Sequence, residues 1–306
     1  MRRVLLVTHT GRAAAREAAA RVIRRLSAEG VEVVGVSDEL DDTAGLRQVA
    51  GPDAARGCEL VLVLGGDGSL LRGAELARDA DVPLIGVNLG HVGFLAEAEP
   101  GDLDETITQL LEGNYAVEER MTLDVAVTSG GQQVQGGWAL NDAVVAKADR
   151  SRMLDCVVAV DDRPVSQYGC DAVVCATPTG STAYAFSGGG PILWPDVEAL
   201  LVVPIGAHAL FARPLVTAPS SVITVDVLPR RDEPARVRLW CDGRRLVDLP
   251  ADARVTVTRG RQPVRLARLS ERPFGDRLVA KFALPVEGWR GIDTTGDDGG
   301  GSPSGA

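Results

Sequence analysis

Aromatic side chains make up only 4% of the 306 residues, and cysteine, histidine and methionine number five, three and three. The cysteines, Cys58, Cys156, Cys170, Cys175 and Cys241, are odd in number, irregularly spaced and without a CxxC pair, which argues against a disulfide framework. With His9, His91 and His208 far apart in the chain, a structural zinc site is equally unsupported. Positive charge is short as well. Thirty-two Lys plus Arg against 42 Asp plus Glu give a net charge of −10, so broad attraction to nucleic acid or anionic lipid is not expected. No stretch reaches the roughly 18 to 20 apolar residues that span a bilayer. The apolar run Val4 to Val7 breaks at Thr8-His9-Thr10-Gly11-Arg12 and reads as a first β-strand rather than a signal peptide. These absences lead to the expectation of a cytoplasmic protein with neither nucleic acid nor membrane as partner. Any anionic ligand must then be held locally, by backbone N–H groups, helix N-termini, a few placed arginines or a divalent metal.

What the chain does have is 45% hydrophobic and 24% charged residues, enough for a large core and too apolar for disorder. Up to about residue 120, short apolar runs alternate with helical segments. A strand at 4–8 precedes a helix over about 13–28, in which Ala18, Val22, Ile23 and Leu26 share a face and Gly30 gives the stop. Further runs at 31–36, 59–64 and 83–87 are near-continuously apolar, as buried parallel strands should be, and a helix at about 102–112 ends at Gly113-Asn114. That alternation predicts a Rossmann-like α/β domain over residues 1–121. From Thr122 the period changes to two, at 123–127, 157–160, 222–227 and 254–257. Turn chemistry separates the runs at Ser129-Gly130-Gly131, Asp161-Asp162-Arg163-Pro164 and Asp242-Gly243. A β-rich, β-sandwich-like domain over 122–270 follows. The Gly-, Ser-, Thr- and Asp-rich residues 292–306 read as a flexible tail.

Two segments carry chemistry. Residues 61–75, VLVLGGDGSLLRGAE, run from a strand through Gly65-Gly66-Asp67-Gly68-Ser69 into a helix, the place where open α/β sheets bind ligands. Glycines and a helix N-terminus suit phosphate, but an acid among those amides would repel it. Asp67 is therefore the candidate for a metal or proton-transfer role, unless it only caps the next helix. The segment is neither a Walker A loop nor a GxGxxG fingerprint. Residues 171–191, DAVVCATPTGSTAYAFSGGGP, bring hydroxyls from Thr177, Thr179, Ser181, Thr182 and Ser187 together with Tyr184 and three glycines. Such a run suits a sugar, amide or nucleotide, and a plain loop is the alternative.

Taken in order, GGDGS at 65–69, NLGHVGFLAE at 88–97, ALND at 139–142 and TPTGSTAYAFSGGGP at 177–191 closely resemble the NAD kinase family, most of all its actinobacterial members. The resemblance runs from the first strand to GWRG near Trp289. GGDG alone is shared with 6-phosphofructokinases and diacylglycerol-type lipid kinases. The resemblance implies transfer of the terminal phosphoryl group of ATP, or of polyphosphate, to the 2′-hydroxyl of the adenosine ribose of NAD, giving NADP, with a divalent metal such as Mg²⁺. It makes Asp67 the proton acceptor, puts Gly68 and Arg72 on nucleotide contacts, and sets Phe94 beside the adenine or nicotinamide pocket. Asn141 and Asp142 match the pair that holds NAD. Thr182, Ala183, Tyr184, Ala185, Phe186 and Ser187 carry loop contacts, and Asp242 matches an Asp-Gly turn. Arg152 and Asp171 fall on NAD-contact positions, the acid in some members reaching a neighbouring subunit's pocket, so a homodimer or homotetramer is implied. Residues 271–291 are implied to return to the first domain. Asp142 replaces the more usual Glu, Ala172 and Ala176 replace Gly and Ser, Gly188 replaces Ala, and Arg244 stands where many relatives carry Gln. A lipid kinase of the same superfamily and a catalytically weak NAD-binding regulator are the alternatives.

Overall fold

A computed structural model describes residues 1–8, 13–37, 46–49, 51–89, 93–98, 100–148, 152–229, 236–269 and 273–286. The expected tail at 292–306 and the end of the returning segment lie outside these residues. The N-terminal part supplies strands β1 (Arg3–Thr8), β2 (Glu32–Val36), β3 (Arg47–Val49), β4 (Leu60–Leu64), β5 (Leu84–Val87) and β6 (Ala116–Arg120), with helices α1 (Ala13–Ala28), α2 (Asp67–Ala77) and α3 (Leu103–Glu112). Strand β4, LVLVL, is buried along its whole length because helices cover both faces of the sheet. Val22, Ile23 and Leu26 of α1 and Ile107 and Leu110 of α3 fill one side, and Leu70, Ala74 and Ala77 of α2 the other. Gly113, at φ 71°, ends α3 in the left-handed region, as the Gly-Asn signal predicts.

The remaining strands are β7 (Leu123–Ser129), β8 (Gln132–Ala139), β9 (Asp142–Lys147), β10 (Leu154–Val160), β11 (Arg163–Cys170), β12 (Ala172–Ala176), β13 (Leu200–Ile205), β14 (Leu215–Thr217), β15 (Ile223–Val227), β16 (Val237–Cys241), β17 (Arg245–Leu249), β18 (Arg254–Arg259) and β19 (Val264–Arg268). Helices α4 (Tyr184–Ser187) and α5 (Phe274–Phe282) complete the chain. Two antiparallel six-stranded sheets, ordered β11-β10-β15-β18-β7-β8 and β14-β13-β12-β9-β16-β17, form the sandwich. Alternate residues such as Val125, Val158, Val225 and Val255 from one sheet meet Val145, Val173, Val202 and Leu239 from the other in a single core.

One boundary needs correction. The expected second domain ran to 270, yet β19 lies in the first sheet, whose order is β3-β2-β1-β4-β5-β19-β6. It pairs parallel to β5 and antiparallel to β6. Apolar spacing tells which side of a strand is buried but not which sheet it joins, so VRLAR was indistinguishable from its neighbours in sequence. The return to the first domain therefore begins at Val264, ahead of α5.

Candidate active site

The turn after β4 delivers Asp67 as the first residue of α2, while Gly66 holds the N-cap position. The capping alternative thus fails, since no side chain caps this helix. The Asp67 carboxylate turns instead toward the segment after β5. There the Phe94 N–H donates to Oδ2 at 3.0 Å and the Leu95 N–H to Oδ1 at 3.1 Å. Gly93 makes this approach possible, because a Cβ at that position would overlap Asp67 Oδ1. Both oxygens are thereby oriented at the head of a helix whose first-turn amides favour an anion. Gly68 is exposed beside it. One turn on, Arg72 pairs with Glu75 at 3.0 Å.

Glu75 links α2 to the sandwich, accepting from Arg244 at 3.1 Å and standing 3.5 Å from Arg245. Arg245 binds Asp242 and also covers one ring face of Trp138, with Arg78 over the ring as well, at 4.3 and 4.5 Å from the centroid. Asp242 is buried, and its carboxylate receives the N–H groups of Leu140, Asn141 and Asp142 at 3.0, 2.7 and 3.4 Å. Asp242 thereby shapes the Asn141-Asp142 turn.

The same turn is fastened to the hydroxyl-rich loop. Thr177 donates through Oγ1 to the Leu140 carbonyl at 2.6 Å and through N–H to the Asn141 carbonyl at 2.9 Å. Gly180 lies against that carbonyl so closely that a Cβ would overlap it. Asn141 Oδ1 is left buried without a hydrogen-bond partner. Burial pushes the Asp142 carboxyl up to about 7, the facing Asp242 adds to the rise, and the Tyr184 N–H opposes it. Asp242 is itself raised by burial, opposed by its backbone donors and Arg245.

Two hydroxyls of the loop are engaged within the protein. Ser181 Oγ donates to the Pro178 carbonyl at 2.6 Å and accepts the Leu193 N–H at 2.9 Å, while Thr182 Oγ1 donates to the Thr179 carbonyl at 3.2 Å. Ala185 is fully buried against Val174 and Val203, so its methyl group faces the core rather than a ligand. Ala183 is half-buried, whereas Tyr184, Phe186 and Ser187 are exposed. The Phe186 ring meets Phe282 of α5 at 4.8 Å, and Phe282 meets Phe94 at 5.8 Å, so α5 draws the two segments together. The Phe94 ring is buried in this cluster, and it is the Phe94 backbone that serves Asp67. A Cβ at Gly188 would meet both Ile205 Cδ1 and Val203 Cγ1, so a larger residue there requires those side chains to shift.

Asp171 and Arg152 stand apart. Asp142 pairs with Ala176 at the loop end of β12, and Asp171 precedes the other end, about 20 Å from Thr177 at ~3.3 Å per residue. There it binds Lys147. Arg152 lies at that same end, since Leu154 pairs with Cys170. Among the described residues no three His, Cys, Asp or Glu side chains converge as a metal cage. Sequence reading missed Glu75, which shows no motif of its own, and Gly93, whose signal was a glycine two residues after the Gly90-His91 pair.

A Gly-Gly-Asp-Gly turn on a parallel sheet, joined through α2 to a hydroxyl-rich loop on a sandwich, defines the class: a two-domain phosphotransferase acting on a nucleotide. Residues 4–115 match the family described as ATP-NAD kinase N-terminal domain, and 140–269 match the ATP-NAD kinase C-terminal domain. The chain is 57% identical to NAD kinase of Thermobifida fusca, with 97% of this chain and 94% of that one covered. It is 58% identical to NAD kinase 2 of Streptomyces avermitilis, over 95% and 97%. Among solved structures, yeast NADH kinase complexed with NADH matches with a TM-score of 0.84 at 21% identity, covering 94% of this chain and 89% of that one. An NAD kinase from Archaeoglobus fulgidus in complex with ATP matches with a TM-score of 0.71 at 24% identity, covering 92% and 100%. The chain belongs to the NAD kinase family, and its activity is that of an NAD kinase. Neither the lipid kinase nor the regulator reading finds support among these matches.

Proposed function

We propose that the protein transfers the terminal phosphoryl group of ATP to the 2′-hydroxyl of the adenosine ribose of NAD, with Asp67 as proton acceptor. The observation that carries this reading is the Asp67 carboxylate, held by two backbone amides at the head of α2. The ribose oxygen attacks the terminal phosphorus as the bond to the bridging oxygen breaks. ADP departs, and the ribose proton passes to Asp67. The α2 N-terminus favours the anionic phosphates. Asn141 Oδ1, buried and without a partner, accepts a hydroxyl or amino hydrogen of the adenosine. Asp142 does the same beside it, and the exposed Tyr184 ring offers a stacking face. A divalent metal such as Mg²⁺ would screen the charge of the donor phosphates, and Asp67 is the acid at the turn that would face it. Inorganic polyphosphate presents the same terminal group and is the alternative donor.

Asp171 lies at the far end of β12, and Arg152 lies at that same end just ahead of β10, so in this reading a second copy of the chain supplies them in a homodimer or homotetramer. The proposed setting is the cytoplasm; none of the described helices is long and apolar enough to cross a membrane.

The test is to incubate the purified protein with Mg²⁺, ATP or polyphosphate, and either NAD or diacylglycerol. NADP formation that falls by roughly 10²-fold or more in Asp67→Asn is the expected result. Near wild-type turnover in that variant overturns the role of Asp67, and phosphatidic acid formation overturns the acceptor.

A further inference from the structure

The peptide strip that holds Asp67 is itself held from its other side. Arg277 Nη1, on α5, donates to the carbonyls of Phe94 and Ala96, both at 3.3 Å, and Arg268 Nη1, on β19, donates to the intervening Leu95 carbonyl at 3.2 Å. Both guanidinium groups meet a single oxygen, Oε2 of Glu97, at 2.8 Å for Arg268 and 2.7 Å for Arg277. The Glu97 side chain is 1% exposed and those of the arginines 11%. The strip therefore has cationic donors on its carbonyl side and Asp67 on its amide side.

The Phe94 carbonyl and the Leu95 N–H belong to one peptide unit. A cationic donor on that oxygen polarises the unit and strengthens the N–H bond to Asp67 Oδ1. The network continues to the second loop. Arg268 Nε meets Glu118 at 2.7 Å, Glu118 meets Arg120 at 2.8 Å, and Arg120 Nη1 reaches Thr179 Oγ1 at 3.4 Å. Fastening α5 alone does not call for this arrangement, because the Phe94, Phe186, Phe274, Phe282 and Trp194 rings already hold the helix and buried ion pairs add little net stability.

We propose that Glu97, Arg268 and Arg277 are positioning residues for phosphoryl transfer, fixing the 94–96 strip so that its two amides aim the Asp67 carboxylate at the acceptor hydroxyl. The proposal rests on Asp67 being the proton acceptor. A displacement of the carboxylate by about 1 Å is enough to slow the chemical step on the order of 10²-fold without touching either substrate's binding groups.

The test is a double-mutant cycle between Glu97→Gln and Asp67→Asn, read as kcat and as KM for NAD and ATP, with near-ultraviolet circular dichroism to confirm folding. Glu97→Gln is expected to lower kcat by about 10- to 100-fold with each KM within about threefold of wild type. In the Asp67→Asn background the same change is expected to alter the residual rate by less than about twofold, because no carboxylate remains to be aimed. Arg277→Lys keeps a charge beside Glu97 but cannot span two carbonyls; it gives the same pattern at smaller amplitude, and it decides the matter if Glu97→Gln does not fold. Equal losses in both backgrounds, a loss confined to KM, or wild-type kcat in a folded clamp variant would each overturn the proposal. Wild-type turnover in Asp67→Asn sinks the proton-acceptor reading instead, whatever the clamp variants do.

Discussion

Asp142 and Asp242 lie together beside the Asn141 turn, and both carboxyls are raised by burial. With Asp142 up at about 7, the folded chain keeps a proton that the unfolded chain releases near pH 4. The stabilisation is complete below that pH and is lost as pH rises through about 7, by an amount on the order of 4 kcal/mol. Asp142→Asn should therefore melt higher than the parent at pH 8, with the gap closing as pH falls toward 4, as calorimetry can read. A dinucleotide that donates to Asp142 favours its ionised form. NAD binding near pH 6.5 should accordingly release protons, visible as a dependence of the binding enthalpy on buffer. The cysteines make a second case at this scale. All five are buried and free, with burial pushing Cys58 up to about 11 and Cys175 and Cys241 up to about 12. The native protein should resist a thiol-reactive disulfide reagent at pH 8, and all five should react after denaturation.

At the scale of elements, α5 is held chiefly by its edges, since none of its residues is fully buried. Phe282 touches both Phe94 and Phe186, so Phe282→Ala should loosen the helix by roughly 1–3 kcal/mol. Faster hydrogen exchange across 274–282 and a higher KM for NAD would report it; unchanged exchange would count against the aromatic anchor. Legibility in the sequence also sorts by element. Buried parallel strands such as β4 announce themselves as unbroken apolar runs. Strand β8, QQVQGGWA, is exposed from Gln132 to Gly137 at a sheet edge, so it leaves no alternation to read. Asp67 stood out because an acid among glycines contradicts simple anion binding. The Glu97 clamp did not, because its arginines lie 171 and 180 residues away and only the return of β19 and α5 brings them in.

At the scale of the molecule, the proposed assembly places Asp171 and Arg152 of one copy at the pocket of another. Sedimentation should show a dimer or tetramer at working concentration. Asp171→Ala should lower NAD affinity without lowering the melting temperature by more than a degree or two, because the Asp171 side chain is half exposed and solvent weakens its pair with Lys147. Full activity in a monomer would remove the shared pocket. The chain path adds one more consequence. Among the described residues of the first sheet β6 pairs only with β19, and β19 borders β5, LIGV, at Leu84 while residues 97–98 border it at Gly86 and Val87. A fragment ending at residue 121 would expose the Leu84 end of that edge to other molecules and leave β6 unattached. Such a fragment should self-associate rather than persist as an independent unit, so evolution cannot trade the two halves as separate modules without first rebuilding this strand.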